Sequence, residues 1–182
     1  EIPLRLVGSE MCIRDSFVFD RAKPGTVIVN QKGQRYYNES TSYHLTGITM
    51  QEANAQAPSV PSFLVTDANG MRKYGLGMVR PNGMGLRAGI ADGYIVQGQT
   101  LEELAGKLGI DATHLKQAAA DIGRFAQTGV DEQFQRGTTT YQRANGDATW
   151  TGPNPSLGPI ETAPFYACLL YTSPSPRDVE ES

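Results

Sequence analysis

The order of its elements predicts an α+β chain. Strand-forming runs rich in β-branched residues come first, two consecutive amphipathic helices follow, and strands do not alternate with helices as a doubly wound parallel sheet requires. At 182 residues, 39% hydrophobic and 19% charged, the composition is that of a globular chain and lacks the low hydrophobicity and high net charge of disorder.

Taken in order, Thr26 to Asn30 (Thr-Val-Ile-Val-Asn) reads as a strand, and Gln31 to Gln34 supplies a turn before Arg35-Tyr36-Tyr37, which predicts a β-hairpin. Tyr43 to Gln56 is helix-compatible, with Ile48 and Ala55 on one side, and Ser59-Val60-Pro61 ends it. Ser62 to Asp67 predicts a short apolar strand closed by a turn at Asn69-Gly70. Tyr74 to Gly93, broken by glycines and prolines, predicts a long surface loop, and loops of that length tend to carry function. Thr100 and Glu103 form a capping box that opens a helix reaching Leu108, with Gly109 as its stop. Asp111 caps a second helix whose Leu115, Ala118, Ile122 and Phe125 fall at helical spacing, giving a helical hairpin. After Gly129 the chain turns irregular.

Several classes of function drop out. No apolar run approaches the roughly 18 residues of a membrane span, and 16 Lys+Arg against 19 Asp+Glu give no basic field for nucleic acid. A cytoplasmic protein is expected. Cys12 and Cys168 lie near opposite ends with no Cys or His at metal spacing, so no metal is expected and a single end-to-end disulfide stays open. The dinucleotide fingerprint, the phosphate loop and the Gly-x-Ser-x-Gly elbow are missing, and Gly83-Met84-Gly85 sits in a loop with no strand before it. His44 and His114 are far apart, and His114 reads as a solvated residue in a first helical turn.

The residues that could carry chemistry gather between Asn30 and His44. Arg35, Tyr36, Tyr37, Asn38, Glu39, Tyr43 and His44 share one turn-rich connection into a helix. Arg35 and Glu39 can pair, and a tyrosine hydroxyl beside a cation can have its pKa lowered from about 10 and serve in proton transfer. The same residues also read as packing: Tyr36 and Tyr37 as strand aromatics, Tyr43 as a helix-start residue. Arg136, in Phe134-Gln135-Arg136-Gly137, reads as the anchor of its loop.

Pro24-Gly25-Thr26-Val27-Ile28-Val29-Asn30-Gln31-Lys32-Gly33-Gln34-Arg35-Tyr36-Tyr37-Asn38-Glu39 resembles the signature of the flavoproteins that unite fumarate reductases, succinate dehydrogenase flavoprotein subunits and 3-ketosteroid dehydrogenases. Gly93-Tyr94, Thr100 to Ala105, Gly129 to Gly137, Gly146-Asp147, Pro153 to Ile160 and Pro164 to Ala167 resemble the steroid branch, in register from about Phe17 to Ala167. Fumarate reductases carry an acid-donating Arg after the Asn-Glu pair. Here Asn38-Glu39-Ser40-Thr41-Ser42-Tyr43-His44 puts Tyr43 in that place, where 3-ketosteroid dehydrogenases resemble it in using a Tyr base. The change also removes a cation that would bind a substrate carboxylate.

What the resemblance implies is a fragment of an FAD-dependent oxidoreductase acting on CH–CH groups, most similar to 3-ketosteroid 1-dehydrogenase. Tyr43 would remove the proton α to a ketone and flavin N5 would accept the adjacent hydride, with Glu39 and His44 orienting the tyrosine or relaying its proton, and with Tyr43 and Arg35 against the substrate. The implied partners are a small apolar ketone or steroid-like substrate and the rest of the flavoprotein chain. The implied architecture is the substrate-binding (cap) domain of a two-domain flavoprotein, residues 17–167, with the flavin-binding domain largely missing. Residues 1–16 and 168–182 resemble translated library-adapter sequence and are expected to be non-native tails without function. A fumarate-reductase-like enzyme on another enoate, or a non-catalytic α+β ligand-binding module, are the alternatives.

Overall fold

A computed structural model of the chain describes residues 20–170. Four antiparallel strands form one sheet: β1 (Thr26–Val29), β2 (Ser62–Thr66), β3 (Ile95–Gly98) and β4 (Phe165–Leu170), in the spatial order β1-β2-β4-β3. Around it lie α1 (Tyr43–Asn54), α2 (Ala68–Tyr74), α3 (Leu86–Ala91), α4 (Leu101–Leu108), α5 (Ala112–Thr128) and α6 (Thr140–Asn145), with a 3-10 turn at Pro81–Gly83.

Both faces of the sheet are covered, and successive residues alternate between two cores because side chains along a strand alternate sides. Val27, Val29, Phe63, Val65, Phe165 and Ala167 face the helical pair α4 and α5, where they meet Leu104, Leu108, Leu115, Ile122 and Phe125. Ile28, Leu64, Tyr166, Cys168 and Leu170 face the other way, onto Tyr37, Met50, Met71, Leu76 and Tyr94. The helical pair forms as its caps direct. Glu103 N donates to Thr100 Oγ1 at 3.1 Å, Gly109 closes α4 in the left-handed region, and His114 N donates to Asp111 Oδ1 at 3.0 Å to open α5.

Three local expectations are corrected. The turn of the predicted hairpin exists, with Gly33 N donating to Asn30 O at 2.9 Å. The second arm does not follow: after one bridge between Val29 and Arg35 the chain leaves, and β1 pairs with β2 in the register Thr26↔Thr66 to Val29↔Phe63. Arg35 turns inward to buried carboxylates, which a strand continuing alongside β1 would not allow. Asn69-Gly70 is not a turn but the first part of α2, capped by Asp67, and Gly70 is required because a Cβ there would collide with Thr66 Oγ1. Within the predicted loop of residues 74–93, a 3-10 turn and α3 form. His114 is exposed in the first turn of α5, as its spacing predicts, and its Nδ1 lies 3.0 Å from Lys32 O, which ties α5 to the turn at Gly33.

Residues 1–16, with Cys12, lie outside the described residues, as do 171–182. Cys168, Leu169 and Leu170 are members of β4, paired with Leu64, Phe63 and Ser62, and Cys168 is a free, buried thiol. Among the described residues no helix is long and apolar enough to cross a membrane.

Candidate active site

The segment from Arg35 to Tyr43 leaves the sheet and is fixed by a buried ionic cluster. The Arg35 guanidinium grips Glu39 with two 2.8 Å hydrogen bonds, from Nε to Oε1 and Nη2 to Oε2, and Asp131 with two more of 2.9 and 2.6 Å. Such bidentate pairs fix direction as well as distance. Arg136, wholly buried, gives Nη1 to Glu39 Oε2 at 3.2 Å and to Thr26 O at 2.8 Å, and Nη2 to Lys23 O at 2.8 Å. Two guanidiniums thus face two carboxylates, so the cluster is balanced in charge where water is excluded. Burial pushes the Glu39 and Asp131 carboxyls up, but the guanidiniums outweigh it and hold both below the usual range.

The cluster also closes the open edge of the sheet. Among the described residues β1 has β2 as its one strand neighbour, and on its other edge, beyond the bridge of Val29 with Arg35, Ile28 N donates to Glu39 Oε1 while Thr26 O accepts from Arg136, so side chains cover that edge. Asn38 then shapes the exit: its Oδ1 accepts from Ser40 N at 2.9 Å and its Nδ2 donates to Phe134 O at 3.0 Å. Ser42 caps α1, accepting from Leu45 N, and Tyr43 is the first helical residue.

The three tyrosines of this stretch end in different surroundings. Tyr36 donates or accepts at 2.7 Å with Ser62 Oγ, and Tyr37 is buried; burial pushes both phenols well above 10, which disfavours their anionic forms. Tyr43 is 41% exposed on the opening turn of α1, with His44 exposed beside it. Of the residues singled out by sequence, Tyr43 and His44 therefore come together at an open surface, and Arg35 and Glu39 lie in the buried cluster beneath, their side chains 2% and 0% exposed. Sequence reasoning identified Arg136 as an anchor but missed Asp131, whose only signal is its place three residues before Phe134, and Arg21. Arg21 is buried, donates through Nη1 to Glu39 O, and has no hydrogen-bond partner at Nε among the described residues. Burial lowers its pKa.

A groove of about 570 Å³ runs between α1, the turn at Gly33 and α5, and Tyr43 and His44 are not in its wall. Its lining includes Glu52 and Asp121, and its one arginine, Arg35, is already committed to two carboxylates. A dinucleotide's pyrophosphate needs free N–H donors or cations, so this groove does not fit one. Among the described residues no group of three or more His, Cys, Asp or Glu is placed to hold a metal ion.

The fold and the tyrosine-bearing loop are those of a flavoprotein segment: the profile of the FAD binding domain matches residues 6–173, and the chain belongs to that family. It is 39% identical over 147 residues to the 4-oxocyclohex-2-ene-1-carboxylate 5-dehydrogenase of Sinomonas cyclohexanicum, covering 81% of this chain and 25% of that protein. It is 35% identical over 156 residues to the 3-oxosteroid 1-dehydrogenase of Mycolicibacterium smegmatis, covering 83% of this chain and 27% of that one. The crystal structure of 3-ketosteroid delta1-dehydrogenase from Sterolibacterium denitrificans matches with a TM-score of 0.77 at 33% identity, over 85% of this chain and 28% of that chain. The chain spans about a quarter of the length of the curated relatives it matches.

One expectation falls here. Residues 17–167 are not a cap domain standing apart from a missing flavin-binding domain, because the family profile places residues 6–173 inside the FAD binding domain. Short motifs in loops report kinship. A domain boundary depends on contacts between distant segments, which the motifs do not encode.

Proposed function

We propose that this chain is part of an FAD-dependent oxidoreductase that dehydrogenates a CH–CH bond beside the carbonyl of a cyclic ketone, with Tyr43 as the base that takes the proton α to that carbonyl. The observation that carries this reading is the contrast among the three tyrosines: Tyr37 is buried and Tyr36 partly buried with its hydroxyl tied to Ser62, both with raised pKa values, whereas Tyr43 is presented to the surface.

The other residues act around it. Arg35, Glu39, Asp131 and Arg136 hold the loop rigid, so that the phenol is delivered to one place without loss of entropy at each encounter. His44, open to water beside Tyr43, passes the proton on. The relatives' names supply the substrate class: both curated relatives above act on ketones of six-membered rings.

The test uses the complete flavoprotein that carries this stretch, with a 3-oxosteroid and with 4-oxocyclohexanecarboxylate as probes. Tyr43→Phe lowers kcat by about 10²- to 10⁴-fold, the usual contribution of a positioned base, and leaves flavin content unchanged. Turnover like that of the wild type would remove Tyr43 from the mechanism.

A further inference from the structure

We infer that Arg21 is a positioning residue for Tyr43, a role that rests on Tyr43 being the base: its buried guanidinium holds the Glu39 carbonyl and so fixes where the loop delivers the phenol.

Of the three arginines around Glu39, Arg21 is the one without a carboxylate partner among the described residues. Glu39 pairs with Arg35 and Arg136, and Asp131 with Arg35. Arg21, 2% exposed, gives Nη1 to Glu39 O instead. A guanidinium is costly to bury without an anion beside it, so no ion pair offsets its burial, and what it contributes is a bond to one carbonyl. It acts from a fixed point, because Arg21 O accepts from Arg136 Nη2 at 3.1 Å and from Thr26 Oγ1 at 3.1 Å.

That carbonyl is the last place before Tyr43 where the rest of the fold grips the loop. Beyond it, among the described residues, the hydrogen bonds of Ser40, Thr41 and Ser42 stay within the loop and the first turns of α1. Ser40 N donates to Asn38 Oδ1, Thr41 N and Oγ1 to Asn38 O, and Thr46 N to Ser42 O. Packing adds little at this end of the helix, for Tyr43, Leu45 and Ile48 are exposed and the buried residues of α1 are Thr46 and Met50. Glu39 is therefore held twice. Arg35 and Arg136 fix its side chain, and Arg21 fixes the plane of the peptide that leads to Ser40, since that peptide turns as one rigid unit. Freed of Arg21, the peptide can tilt, and the tilt is carried to Tyr43. Removing Arg21 also differs from removing Arg35 or Arg136 in leaving no carboxylate unpaired. Arg21→Met loses one hydrogen bond together with an uncompensated buried charge, and the two changes oppose each other in stability.

The experiment measures kcat per bound flavin, KM and thermal midpoint of the complete flavoprotein with a 3-oxosteroid as probe, for wild type, Arg21→Met, Arg21→Lys, Tyr43→Phe and the double variant Arg21→Met/Tyr43→Phe. Arg21→Met is expected to lower kcat about 10- to 100-fold, the scale of a small misplacement of a reacting group, with KM, flavin content and thermal midpoint nearly unchanged. Arg21→Lys, which keeps a donor for the carbonyl, recovers part of the loss. The double variant turns over like Tyr43→Phe alone, because the place of the phenol no longer matters once its hydroxyl is gone; such non-additivity marks two residues that act as one. A fall by the same factor in both backgrounds would mean a merely structural role and overturns the proposal. So does wild-type turnover in Arg21→Met, or loss of flavin or of the folded state in that variant. Loss of turnover in Tyr43→Phe with wild-type turnover in Arg21→Met removes the positioning role alone, whereas full turnover in Tyr43→Phe removes the base and the positioning role with it.

Discussion

At Glu39 two guanidiniums share one buried carboxylate, and the consequence of removing any member follows from where the charge is left. Glu39→Gln keeps the shape but leaves Arg35 with Asp131 alone and takes from the buried Arg136 the carboxylate it pairs with, in a place without water. Breaking a buried pair in this way costs about 3–5 kcal/mol. The urea midpoint should fall accordingly while the slope of the transition stays constant; an unchanged midpoint would show that water reaches the cluster. Asp20 behaves in the opposite sense. Its carboxylate is pushed up from 3.8 to about 6 by burial, against the pull of the Gly77 N–H at 2.8 Å and of Lys23. Between those two values the folded chain holds a proton that the unfolded chain has released, so stability falls as pH rises through that window and stays lowered above it. Asp20→Asn can still accept from Gly77 and carries no charge. Its stability advantage over the wild type should therefore grow from pH 4 to pH 6 and then level off, and a pH-independent difference in thermal midpoint would refute this assignment.

At the level of elements, what could be read in advance was what local chemistry decides. The caps at Thr100 and Asp111, the stop at Gly109 and the core face of α5 depend on residues within one or two turns of each other, and they stand as the spacing predicts. The partner of β1 could not be read, because β2 lies more than thirty residues further on, and the predicted hairpin arm stops after one bridge where Arg35 turns to two buried carboxylates. At the candidate site the same division holds: Tyr43 stood out from its motif, whereas Asp131 and Arg21 join only through the folded chain. Glycines show the point in a testable form. Gly98, at the end of β3, would place a Cβ 2.6 Å from Leu104 N, while Gly106 in α4 has open space around it. Gly98→Ala should cost about 1–3 kcal/mol by forcing α4 from the sheet, and Gly106→Ala should gain up to about 1 kcal/mol of helix propensity. The sign of the two thermal shifts separates them, and equal shifts would contradict the packing of α4 on β3.

For the whole molecule, β4 sets how far the folded unit extends at the least. It is the central strand between β2 and β3, and it reaches through Leu170, past the Ala167 boundary that the adapter-like wording suggests. Cys168 and Leu170 are 1% and 6% exposed and belong to the core on the α1 side of the sheet, and Cys168 pairs with both Leu64 and Ile95. A chain cut after Ala167 loses that burial, at about 1.5–3 kcal/mol for the leucine alone, together with ladder bonds to two neighbours. With about 2–4 °C per kcal/mol for a chain of this size, its thermal midpoint should drop by on the order of 10 °C. A chain cut after Leu170 keeps every described pairing and should melt where the uncut chain does. Were the two truncated chains equally stable, the last three residues of β4 would stand outside the cooperative unit, and the boundary would return to Ala167.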